Sequence, residues 1–87
     1  MLNYRPQNPS TTIKYFLPVE SQVKILINDI LGQNADKFNE GITPAGFHQF
    51  IWNSHVLPSG VYFYTIITNS RSEGKGFRKT LRTLLIK

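Results

Sequence analysis

Cysteine is absent from all 87 residues, which excludes a disulfide framework and a thiolate metal site. A chain without thiols works in either redox environment, so the compartment stays open. Histidine is scarce: His48 and His55 lie seven apart with no acidic cluster near them, which is no recognisable ligand set. Helical periodicity of useful length is missing, as is any apolar run near the roughly 20 residues of a membrane helix. The first residues do not show the basic region, apolar stretch and cleavage site of a secretory leader. Charged residues are few, at 17%, while 40% of the chain is hydrophobic and 13% aromatic, enough to build one packed core. At this length the core belongs to a single domain.

The net charge of +5 is unevenly placed. Arg71, Lys75, Arg78, Lys79, Arg82 and Lys87 stand against Glu73 alone, whereas residues 1 to 70 hold four bases and four acids. The whole excess therefore lies in the last 17 residues. Such a cluster fits nucleic acid or an anionic membrane surface. It fits equally an edge strand whose charges keep sheets from pairing edge to edge.

Alternation of apolar and polar residues marks the strands. Ile13, Tyr15 and Leu17 share one face before Pro18, and Val23, Ile25 and Ile27 share one face of the next run. These two are expected to pair through a turn at "PVES". "DILG" supplies a second turn, with Gly32 free to take positive φ. A weaker strand is expected over residues 33 to 38, followed by a loop over the breaker-rich "NEGITPAG", residues 39 to 46. From Phe47 to Asn53 the alternation resumes, with either His48, Phe50 and Trp52 or Phe47, Gln49 and Ile51 toward the core. "LPSG" turns into "VYFYTIIT", the most β-prone stretch, and residues 77 to 86 form the last strand. This spacing predicts an all-β fold, an antiparallel β-sandwich of about seven short strands, in preference to a small barrel.

"NY", "NPSTTIKYFLP", "VKILINDILGQ", "AGFHQFIW", "LPSGVYFY" and the terminal "LLIK" follow one another from Asn3 to Lys87. In that order and spacing they resemble the type A C-terminal sorting domain of type IX secretion. Only Arg5, Pro6 and Gln7 stand where the family usually has Pro-Asn-Pro-Phe, and Arg82 and Thr83 replace the usual Lys and Met. The resemblance implies an Ig-like sandwich over residues 8–87 behind an extended linker, residues 1–7. It implies a non-catalytic sorting signal that directs a cargo through the outer-membrane translocon. A shuttle protein would recognise it and a sortase would remove it, often joining the cargo to anionic lipopolysaccharide. The family's export elements fall here on Gly60, Tyr62, Leu84, Leu85, Ile86 and Lys87. Gly60 and Tyr62 also read simply as a turn glycine and a core aromatic.

Type IX sorting also implies passage through the periplasm to the cell surface, and a chain excised from a longer protein that carries the signal peptide and cargo. Pro6 and Pro9 favour extended backbone, which suits a sortase substrate beside a folded body. Residues 8 to 12 read equally as the first edge strand.

Two other classes compete. A structural Ig-like assembly module, such as the domain of flagellar hook-capping proteins, shares the "DILGQ" turn and the "GVY" element. A single-stranded nucleic-acid binder would use the basic strand with Tyr62, Phe63, Tyr64 and Trp52 as a stacking platform, although aromatics in short strands usually serve the core. Ser10, Ser54, Ser59, His48 and His55 fall in no motif that assembles a triad, so no catalytic residue and no cofactor is assigned.

Overall fold

Three strands open on a glycine followed by an aromatic or β-branched residue, at Gly46 and Phe47, Gly60 and Val61, and Gly76 and Phe77. The computed structural model describes residues 10–54, 56–72 and 74–86. Within them run six strands: β1 (Ser10–Leu17), β2 (Ser21–Asn28), β3 (Asn34–Thr43), β4 (Gly46–Asn53), β5 (Gly60–Ser70) and β6 (Gly76–Leu85). The fold is an all-β antiparallel sandwich, with six strands among the described residues rather than about seven. The linker assigned to residues 1–7, and with it Pro6, lies outside them, as do Pro9, His55, Glu73 and Lys87.

β3, β2, β5 and β6 make one sheet in that order, and β1 with β4 makes the other. The inner faces meet through Ile13, Leu17, Val23, Ile25, Ile27, Trp52, Tyr62, Ile66 and Leu85, all buried. Each such side chain contributes about 1.5–3 kcal/mol by leaving water. Trp52 lies edge-on to Tyr62 at 5.3 Å, and Phe50 of β4 stacks at a tilt on Phe38 of β3 at 4.6 Å. These contacts settle the open choice in β4: His48, Phe50 and Trp52 face inward, and Phe47 and Ile51 face solvent.

Two expectations are corrected. β1 does not pair with β2; it pairs with β4, Ile13 opposite Phe50 and Leu17 opposite Gly46, while β2 lies between β3 and β5. Alternation fixes which face of a strand is buried and is silent on its neighbour, and here the faces of β1 and β2 meet across the core. The loop expected over residues 39 to 46 is mostly strand, since β3 continues to Thr43. Gly41, at φ 72, sits where the register shifts opposite Val23 and Lys24, and its N–H donates to Asn39 Oδ1 at 3.0 Å. A glycine that breaks a strand in isolation here forms a bulge that keeps it going.

The "DILGQ" turn is built as its residues dictate. Asp29 Oδ1 accepts from the N–H groups of Leu31 and Gln33 at 2.9 and 3.0 Å, and Gly32 takes φ 82. Ser10 to Thr12 belong to β1, opposite Asn53 to Ile51, so the edge-strand reading holds for those three residues.

Candidate docking surfaces

Among the described residues the last strand is an edge: β6 pairs there with β5 alone, from Gly60 opposite Leu85 to Asn69 opposite Gly76. Below the Leu84 carbonyl, which accepts from Thr11 Oγ1, its other side offers backbone groups to a strand laid against it, and the outward-facing Arg78 and Arg82 are placed as edge guards. Alternation divides the terminal residues: Leu84 is 55% and Ile86 71% exposed, while Leu85 is sealed in the core. Leu84 and Ile86 can therefore touch a partner, and Leu85 anchors the strand that presents them.

Tyr62 is also a core residue, and its hydroxyl donates to the Pro58 carbonyl at 2.6 Å, tying the "LPSG" turn to β5. Gly60 is different. Its φ is not positive, it is exposed, and a Cβ placed there would meet nothing within 4 Å. The free fold has no steric or conformational need for glycine at this position, which lies directly opposite Leu85.

The outer face of the larger sheet carries a basic stripe that the chain alone did not reveal, because its members come from separate strands. Ile67 lies between Lys24 and Arg78, and Phe63 between Asn28 and Arg82. Trp52 and Tyr62, required exposed in a stacking platform, are both buried. His48 Nε2 donates to the Pro44 carbonyl at 2.7 Å, and Ser54 Oγ accepts from Leu57 N–H at 3.1 Å, so each braces a local turn. Among the described residues no three His, Asp or Glu side chains gather as a metal site.

A cleft of about 600 Å³ opens between β1 and β6. Tyr15, Leu17, Ile66, Phe77 and Leu81 supply apolar wall, and Lys14, Lys75 and Lys79 are its charged members. Burial, and secondarily Glu40, raises the Tyr15 hydroxyl above its ordinary pKa of 10.0, so it is a neutral phenol at physiological pH. The cleft had no signature in sequence, since it arises where two sheets part.

Fold and surfaces together define a small antiparallel sandwich with exposed strand edges, related to the Ig-like class. Among solved structures the chain is similar to FlgD from P. aeruginosa, at 28% identity and a TM-score of 0.66 over 87% of this chain. It spans 59% of that FlgD chain's length. No protein-family model matches the chain, and no curated protein matches it.

Proposed function

We propose that this chain is a non-catalytic sorting domain of the type IX kind, whose closing strand is the handle by which an outer-membrane shuttle holds its cargo. What supports the reading is the placement of β6: among the described residues it is a sheet edge, its end turns the Leu84 and Ile86 side chains outward, and it lies beside Gly60. An edge strand can add to a partner's sheet by backbone hydrogen bonds, with alternate side chains read in pockets. Gly60 then gains a reason the free fold lacks, the close approach of partner backbone. The ordered segments from "NPSTTIKYFLP" to "LLIK" support the same assignment. Under it the cargo precedes this domain, passes through the periplasm, and reaches the surface or medium once a sortase removes the domain. Lys87 belongs to the handle by resemblance and lies outside the described residues.

The similarity to FlgD, a flagellar hook-capping protein, favours a second reading, a structural module that joins neighbours in an assembly. One experiment separates the two. Residues 1 to 87 are fused behind a signal peptide and a reporter in a type IX competent host, and Gly60→Ala and a deletion of Leu84 to Lys87 are compared with the parent. The sorting reading expects reporter in the medium for the parent, and retention in the periplasm for both variants. Gly60→Ala should keep its thermal midpoint, so retention in that variant reports recognition rather than folding. A parent that stays in the periplasm, or variants exported like the parent, overturns sorting in favour of assembly.

A further inference from the structure

We propose that the cleft between β1 and β6 is a second docking slot, which takes one extended strand of a partner protein that is apolar on one face and bears acidic side chains. The slot is a strand position that the described residues leave vacant. Among them the larger sheet has four strands and the smaller two. β4 lays Phe50 on β3 and Trp52 against Tyr62 of β5, so little is left to cover β6. β1 reaches β6 at one end, where Thr11 Oγ1 donates to the Leu84 carbonyl at 2.8 Å. There the sheets close and Leu85 is fully buried.

Toward the other end the sheets part. Lys79 and Leu81 share the inner face with Leu85, as does Phe77, yet Phe77 is 61% and Leu81 38% exposed. Inward positions of a sandwich strand normally lie under a second layer. Among the described residues these three lie under none. β1 in turn pairs only with β4 among the described residues, so its other edge borders the slot with free backbone donors and acceptors. A strand laid along that edge completes hydrogen bonds with β1 and drops alternate side chains onto Ile66, Phe77 and Leu81.

Charge selects the occupant. Lys14, Lys75 and Lys79 line the cleft, and among the described lining residues none is acidic, Glu40 acting on Tyr15 from outside the lining. A wholly apolar strand would strip water from Lys79 without replacing it, at a cost that a carboxylate in the occupant removes. A second copy of this chain fits less well: edge strands β1 and β6 carry lysine and arginine without an acid, and of the two acids on edge strand β3 Asp36 already holds Trp52, which leaves Glu40 alone beside Lys37.

The test is a titration of the isotope-labelled full chain with a capped peptide of about seven residues, alternating valine with aspartate. A valine–lysine peptide and a copy N-methylated at every second residue serve as controls. The expected shifts are confined to residues 14–19, 66–68 and 75–81. N-methylation should weaken binding at least about tenfold, by removing backbone donors. Lys79→Ala should weaken it roughly threefold, and Leu81→Glu, at a position open enough to keep the fold, should abolish it. Absence of binding, equal binding of the lysine or N-methylated peptide, or shifts on the outer face of the larger sheet would each overturn the slot. So would a Lys79→Ala chain that keeps its peptide affinity and self-associates, because Lys79 would then be a guard on a bare edge.

Discussion

Trp52 is fully buried at the centre of the sandwich, and its indole N–H reaches the Asp36 Oδ2 atom at 3.1 Å. A donor sealed from water must be paired, and this carboxylate on β3 is its partner. Asp36→Ala should therefore destabilise the domain by about 1–3 kcal/mol, the cost of an unsatisfied buried donor. Asp36→Asn keeps an acceptor oxygen and should recover most of that loss. Urea denaturation followed by Trp52 fluorescence reads both, and an Asn variant as weak as the Ala variant would locate the effect in charge instead of the hydrogen bond. Gly60, proposed to meet a partner, obeys a different rule: the isolated fold asks nothing of a glycine there.

β6 joins two roles in neighbouring residues. Leu85 is core, so Leu85→Ala should cost about 2–5 kcal/mol, as buried leucines do. Leu84 and Ile86 point outward, and their joint replacement by serine should change stability by less than about 0.5 kcal/mol. Thermal melting of both variants checks the division, and a large loss in the serine variant would mean that the outer residues also hold the fold. Much of this element was legible in the chain, because a run of alternating residues after "NSRSEGKG" declares a strand and its faces. Its edge position was one of the readings of the basic cluster and is the one the sheet order bears out, whereas its partner β5 was not legible, since pairing partners are chosen by tertiary packing. The same gap produced the mistaken β1–β2 hairpin: Ile13 and Val23 each announce an inner face, and both are satisfied across the core as well as side by side. In β3, Gly41 looked like a breaker because a bulge becomes visible only against the partner strand it bends toward. The proposed terminal handle rests on resemblance and alternation together, whereas the β1–β6 cleft depends on how far one sheet overlaps the other, which no local pattern encodes.

At the scale of the whole molecule, a six-stranded open sandwich has edges at β1, β3, β4 and β6, where a closed barrel would have none. Something must keep these edges from pairing between molecules. The chain's excess of +5, with Arg78 and Arg82 on the outward face of β6, is placed to do so by like-charge repulsion. That repulsion should fade as pH approaches the isoelectric point near 9.8. Light scattering is then expected to rise between neutral pH and that point, and to rise at neutral pH when about 1 M salt shortens the screening length to roughly 3 Å. Unfolding would be a competing cause of scattering, and the tyrosines argue against it. Burial raises the Tyr64 hydroxyl, and burial with Glu40 raises that of Tyr15, above the ordinary 10.0. Groups shifted upward keep their full contribution to stability below the unfolded value and lose it only as pH climbs through the folded one. The fold should accordingly survive to the isoelectric point, with far-UV circular dichroism constant while scattering grows. Scattering that stays flat across this range would leave the edges guarded by shape rather than charge, and an Arg78→Ser, Arg82→Ser chain would then be as soluble at neutral pH as its parent.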